Sequence, residues 1–148
     1  MSLKSILAAK GDEVISIVPT ADLAAAAELL TKHGIGVLVV RDADGRLVGI
    51  LSERDIVRAI SESGIAAMQS PISQVMTKDV STCEVNDSIS SVMERMRKGK
   101  FRHMPVLDNG RLAGMVSIRD LLKLHLETIR EHIHQIEASF AEFELMRL

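Results

Sequence analysis

Tryptophan and tyrosine are absent from this 148-residue chain, and phenylalanine occurs only three times. The aromatic platforms on which single-stranded nucleic acid stacks are therefore missing, and a core has to be built from Val, Ile, Leu, Ala and the eight Met. Cysteine occurs once, at Cys83, so no intrachain disulfide is possible and a reducing compartment is expected. No apolar run approaches the ~20 residues of a membrane span. Met1-Ser2-Leu3-Lys4 opens no signal-peptide pattern, so the expected localisation is cytoplasmic, with no membrane partner. An excess of one charge is also lacking. The net charge is −2, with 7 basic and 9 acidic side chains in residues 1–74 and 11 of each in 75–148, which gives no global field for nucleic acid or an anionic surface. There is no P-loop, no nucleophile paired with a base and no carboxylate cluster for two metals, so no enzyme is expected. What remains is a chain that is 47% apolar and 26% charged, the balance of a folded soluble domain or two small units sharing a core.

The chain contains itself twice. Residues 45–55 read GRLVGILSERD and residues 110–120 read GRLAGMVSIRD, identical at seven of eleven positions. Upstream the register shifts by one, because Asp42-Ala43-Asp44-Gly45 is matched by Asp108-Asn109-Gly110. Val40 then aligns with Val106, Glu28 with Glu94, Ile17 with Cys83 and Val14 with Val80. Each unit is roughly 50 residues long, a length at which self-similarity defines the architecture.

Periodicity and punctuation give the unit its elements. Val14-Ile15-Ser16-Ile17 is a β-rich run ended by Pro19, and the Ala-rich stretch from Asp22 to His33 is helical in composition and stopped by Gly34. Val37 to Val40 and Leu47 to Leu51 are apolar runs joined by an Asp-Gly turn, a hairpin signal that Asn109-Gly110 repeats. Ser52 and Ser117 then precede another helix. The unit is β-α-β-β-α, and the class is α+β in a sandwich-like arrangement. Its strands are apolar on both faces, so two copies packed together would bury what one leaves in water. The expected organisation is a first repeat with an N-terminal helix over 1–62, a linker over 63–76, a second repeat over 77–124 and an amphipathic C-terminal helix over 125–148.

Three segments together resemble a pair of CBS domains, the regulatory module named after cystathionine β-synthase. They are Val75-Met76-Thr77-Lys78-Asp79-Val80 entering the second repeat, Phe101-Arg102-His103-Met104-Pro105-Val106 on its middle strand, and the Ser-x-Arg-Asp ends of both hairpins. The resemblance covers about residues 4–124 and implies two repeats related by pseudo-twofold symmetry, with two clefts between them. It implies adenosine-containing ligands there, AMP, ADP, ATP, S-adenosylmethionine or NAD(H), in a non-catalytic role such as energy sensing, without a catalytic cofactor. In that pattern Asp55 and Asp120 hold ribose hydroxyls, while Ser52, Ser117, Arg54 and Arg119 face phosphate. Lys10 to Val14 would line the cleft of Asp120, and Lys78 to Val80 that of Asp55. The first repeat departs from the pattern where Gly36 and Val37 stand in place of Arg102 and His103, so the two clefts are expected to differ.

The same residues carry plainer readings. Ser-x-x-Asp is also a capping box, in which both side chains satisfy backbone N–H groups at a helix start. Arg95, Arg97, Lys98, Lys100 and Arg102 put five cations in eight residues, of which Arg95 to Lys98 suit a solvated helix C-terminus. Arg102 and His103 open an otherwise apolar strand, where a polar pair suits phosphate. His125, His132 and His134 share a helix without metal-ligand spacing, and no metal site is expected. Cys83 reads as a small core residue.

From Leu122 the apolar residues fall at Leu126, Ile129, Ile133, Ile136, Phe140 and Phe143, a strict alternation of four and three. That is a heptad seam, favouring a homodimer over a helix lying on its own body. Two functions follow as expectations: a nucleotide sensor that signals to an unidentified regulated protein through dimer or partner contacts, or a structural adaptor with empty clefts acting through this helix.

Overall fold

The computed structural model describes residues 2–11 and 13–147. Helix α1 (Leu3–Lys10) comes first. The first repeat follows as β1 (Ser16–Ile17), α2 (Leu23–His33), β2 (Val37–Arg41), β3 (Leu47–Ser52) and α3 (Glu53–Ser63). The second is β4 (Cys83–Glu84), α4 (Ile89–Gly99), β5 (His103–Asp108), β6 (Arg111–Ser117) and α5 (Ile118–Met146). Each repeat forms a three-stranded sheet in chain order, its first pair parallel across the intervening helix and its second an antiparallel hairpin. Ile17 lies opposite Val40 and Cys83 opposite Val106, so the alignment of the repeats holds in space.

Local chemistry sets the boundaries. Asp22 caps α2 by accepting the Ala25 N–H, and Gly34 ends the helix at φ 61°. Ser88 caps α4 in the same way, but the residue ending it is Lys100, at φ 57°. A side chain in this left-handed region costs roughly 1–2 kcal/mol, so Lys100 is held there against its backbone preference. One face of β2 contributes Leu38 and Val40 to a core with α2 and α3, while Val37 and Val39 on its other face are buried as well. A lone sheet with helices on one side would leave that second face in water.

Two segments are placed differently from the sequence expectation. Residues 63–76 are not a loose linker. They form 3-10 turns over Gly64–Gln69 and Ile72–Gln74, and Ala67 and Ile72 enter the core of the first repeat. Hydrogen bonds from Leu23 N–H to Ser70 O and from Ile72 N–H to Ala21 O fasten them there. Helix α1 does not belong with the first repeat either: Leu3 and Ile6 are buried in the core of the second, with Leu7 packed against it. Gly114 on β6 makes this possible, since a Cβ there would overlap Leu7.

The counterpart lies on the other sheet. Met76 and Thr77, which lead into the second repeat, cross β3 of the first, where Ile50 and Thr77 exchange hydrogen bonds of 3.0 and 2.9 Å and a Cβ on Gly49 would overlap Met76. Each repeat is thus completed by the segment that leads into the other. Helix α5 runs on without a Gly or Pro, so the boundary expected at residue 124 falls inside one continuous element. Leu121 and Leu124 anchor its start, and its apolar residues from Leu126 onward are exposed. Among the described residues no helix is long and apolar enough to cross a membrane.

The exchange makes α1 structural. Leu3→Ala is expected to destabilise the fold by about 2–5 kcal/mol, the range for truncating a buried leucine, in urea unfolding followed by circular dichroism. An unchanged midpoint would mean that α1 is an ornament.

Candidate functional site

Ser52 and Ser117 stand at the two strand-to-helix junctions, and both capping boxes are complete. The Asp55 N–H donates to Ser52 Oγ at 3.2 Å, and the Ser52 N–H donates to Asp55 Oδ2 at 2.9 Å. The second junction repeats both distances between Ser117 and Asp120. The first N–H of each helix is tied to the residue just before the neighbouring strand, Glu53 N–H to Gly36 O at 3.0 Å and Ile118 N–H to Arg102 O at 2.8 Å. The cap engages one oxygen of each carboxylate, leaving the other for a different partner.

Around Asp55 the sheets and the exchanged segment enclose a cavity of about 560 Å³. Ser52, Glu53, Arg54, Asp55 and Arg58 come from the β3–α3 junction, and Gly36 and Val37 from the start of β2. Thr77, Asp79, Val80 and Ser81 come from the segment entering the second repeat, and Lys100, Phe101, Arg102 and His103 from the α4–β5 junction. The Asp55 side chain is only 12% exposed, and its Oδ1 lies 3.7 Å from the Arg58 guanidinium. Arg54, Arg58, Lys100 and Arg102 outnumber Glu53, Asp55 and Asp79, so the cavity is locally cationic in a chain that is not. Gly36 leaves room beside the Glu53 carboxylate, where an added Cβ would stand 3.5 Å from Oε2. Lys78 does not line this cavity but one between the hairpin ends, with Arg41, Arg46 and Arg111.

The Asp120 side is arranged otherwise. Lys10 Nζ donates to Asp120 Oδ2 at 2.8 Å and to Met115 O at 3.1 Å. Burial acts to raise the Asp120 pKa, but the hydrogen bonds and charge of Lys10 and the Ser117 N–H outweigh it and hold the carboxyl below its usual range. Val14 is half-buried, Arg119 is exposed and apart from the Asp55 cavity, and residue 12, within the expected lining from Lys10 to Val14, lies outside the described residues. His103 sits between the two sides. Burial lowers its pKa first, the charges of Lys10 and Arg102 lower it further, and Asp120 and Glu53 oppose them. The imidazole is therefore neutral at pH 7. Cys83 is buried, and desolvation pushes its thiol up to about 11, which removes it as a nucleophile.

Sequence reasoning missed Arg58, Lys100 and Phe101 in the cavity. Arg58 carried a signal, since it lies three residues beyond Asp55 and so on the same helix face. Phe101 carried a weaker one, as a lone aromatic in a chain almost without them. Its ring is pinned by Gly99, where a Cβ would overlap it.

Solved structures share this fold. A CBS-domain containing protein from Agrobacterium tumefaciens is 44% identical, with a TM-score of 0.80 over 82% of this chain and 91% of its own. A CBS domain pair crystallised with 5'-methylthioadenosine and S-adenosyl-L-methionine is 28% identical, with a TM-score of 0.76 over 86% of this chain and 98% of its own. A CBS domain protein from Pyrobaculum aerophilum complexed with AMP is 28% identical, with a TM-score of 0.71 over 81% and 89%. Curated relatives run longer. A 17.7 kDa protein of Acidianus ambivalens is 40% identical over 116 residues, 78% of this chain and 69% of its own. The chain spans 57% of a mitochondrial CBS domain-containing protein of Arabidopsis thaliana. The CBS domain pattern itself matches twice, over residues 8–62 and 72–127, in the two halves that the fold completes by exchange, and the chain belongs to the CBS domain family.

Proposed function

We propose that this protein is a non-catalytic regulatory module that binds an adenosine-containing nucleotide in the cavity around Asp55. The signal would pass to a second copy or to a regulated protein. The observation that carries the reading is the Asp55 carboxylate: fixed by its cap through Oδ2, turned toward a cavity of about 560 Å³, and ringed by Arg54, Arg58, Lys100 and Arg102. That volume lies within the ~300–1,000 Å³ of ordinary small-molecule sites. A ribose cis-diol would donate to Oδ1, as it does to the acid of dinucleotide-binding folds. Phosphate would meet the guanidinium groups and the positive end of α3. Among the described residues, the backbone groups of Asp79, Val80 and Ser81 have no partner within the chain, so they are free for the polar edge of adenine. Relatives crystallised with AMP and with S-adenosyl-L-methionine support the ligand class.

The Asp120 side would bind more weakly, because the Lys10 ammonium, 2.8 Å from Oδ2, already neutralises that carboxylate. Which of AMP, ADP, ATP or NAD(H) is preferred depends on how many phosphates the four cations of the Asp55 cavity engage. One observation favours the adaptor reading, in which the clefts stay empty: the bare apolar seam of α5. A thermal-shift screen against AMP, ADP, ATP, NADH and S-adenosylmethionine separates the two, since a ligand of the folded state raises its stability.

Asp55→Asn keeps an oxygen for the cap and removes the one offered to ribose. It is expected to weaken AMP binding by roughly tenfold to a hundredfold in calorimetry, corresponding to the ~1.5–3 kcal/mol of hydrogen bonds to a charged group. Unchanged affinity would refute the ribose role. Lys10→Met is expected to strengthen a second, weaker binding event severalfold while leaving the first alone. If the isotherm is identical to that of the unaltered chain, Lys10 does not guard that cleft.

A further inference from the structure

Helix α5 has two apolar faces and uses only one of them on its own body. Leu121 and Leu124 are buried in the core of the second repeat, with Thr128 half-buried one turn on. The residues of the four-three alternation lie about 100° around the helix from that face. Leu126, Ile129, Ile133, Ile136, Phe140 and Phe143 are 41–66% exposed, and two of the three Phe of the chain stand in water there. A row this narrow and this regular fits the seam of a coiled coil.

The charges beside the seam select its occupant. With Leu126, Ile133 and Phe140 at heptad position a and Leu122, Ile129, Ile136 and Phe143 at d, position e holds Lys123, Arg130, Glu137 and Glu144. The sign reverses at the middle of the helix. Position g holds His125, His132, Ser139 and Met146, with no fixed charge. Antiparallel helices set e against e, so a second copy would meet Lys123 with the partner's Glu144 and Arg130 with the partner's Glu137. The twofold axis generates each of these pairs again. Parallel helices set e against g and would leave Arg130 facing the partner's His125 and Glu144 facing the partner's Ser139.

We propose that α5 pairs with the α5 of a second copy, antiparallel, in one register centred between His134 and Gln135. The apolar layers pair about that centre, and the charge pairs about a point one residue earlier, the small axial offset of flanking positions: Leu126 meets the partner's Phe143, Ile129 the partner's Phe140, and Ile133 the partner's Ile136. Each layer containing Phe is filled by one large and one smaller side chain, where parallel pairing would stack Phe on Phe. The seam from Leu126 to Phe143 is about 26 Å long, and the two nucleotide-binding bodies lie at its opposite ends. The pairing specifies the homodimer arm of the function proposed above and does not depend on what the clefts hold.

Two measurements test it. Sedimentation of the full chain at tens of micromolar is expected to show a dimer. Arg130→Glu and Glu137→Arg should each weaken it at least severalfold at low ionic strength, and the double exchange should restore it, with helicity by circular dichroism unchanged throughout. A monomer would overturn the pairing and return the seam to another protein or to the chain's own body. A double exchange no better than the singles would overturn the antiparallel register. For the second, Leu126→Cys and Phe143→Cys chains are oxidised alone and mixed; the buried Cys83, with its raised pKa, stays inert. A disulfide dimer is expected only in the mixture, and one formed by either variant alone indicates parallel helices. AMP calorimetry on the unaltered chain reads the cleft separately, so loss of one proposal is distinguishable from loss of the other.

Discussion

Two hydrogen bonds between Ile50 and Thr77 fasten the start of one repeat to the sheet of the other, and the site is built around that crossing. The crossing demands a bare backbone. Met76 lies where a side chain on Gly49 would be, and Leu7 makes the equivalent approach to Gly114 on the second sheet. Because the leading segments are exchanged, each Ser-x-x-Asp junction faces residues from the start of the opposite half. Asp55 looks across its cavity at Asp79 to Ser81, and Asp120 looks at Lys10. Were each sheet to keep its own leading segment, each would still have its capping box but no residues of the opposite half facing it.

At the two Ser-x-x-Asp junctions the halves share their backbone and differ in the side chains around it. The capping distances match, and the ties from Glu53 to Gly36 and from Ile118 to Arg102 are equivalent. The α4–β5 junction, however, supplies Lys100, Arg102 and His103 where the first half has Gly34, Gly36 and Val37. All three of these polar residues line the Asp55 cavity. Lys100 does so from a left-handed conformation that glycine occupies in the first repeat, a strain that is maintained only where surrounding structure fixes the chain. The cations are concentrated on one side, while the other carboxylate is neutralised from within by Lys10. The repeat supplies two like junctions, and a few side chains make their surroundings unequal.

How far this could be read from the chain depends on the range of each interaction. The repeat, its elements and both Ser-x-x-Asp junctions were legible because hydrophobic periodicity, Gly turns and caps are local. The partner of α1 was not: an amphipathic helix declares that it buries a face, and nothing in its spacing names the surface. Lys10 meets a residue 110 positions away, which no motif announces. In residues 63–76, Gly64, Pro71 and the serines read as a linker, yet Ala67 and Ile72 outweigh them by being buried. Lys78 adjoins Asp79 and Val80 in sequence, yet it lines the cavity at the hairpin ends and not the Asp55 cavity.

The two readings of Ser-x-x-Asp are compatible, because a carboxylate has two oxygens. A lone surface aspartate would lose rotamer freedom on meeting a ribose, and that loss would be subtracted from affinity. At Asp55 the loss has already occurred in folding, where the Ser52 N–H holds Oδ2 at 2.9 Å and the Asp55 N–H holds the serine hydroxyl in return. The cap stabilises α3 and fixes the carboxylate of Asp55 at the cavity wall, with Oδ1 3.7 Å from the Arg58 guanidinium. At Asp120 the same cap presents its carboxylate to Lys10 Nζ, which takes the oxygen already engaged by the Ser117 N–H. The capping box therefore holds the two carboxylates alike, and what stands opposite, an open cavity at Asp55 and the Lys10 ammonium at Asp120, distinguishes the halves.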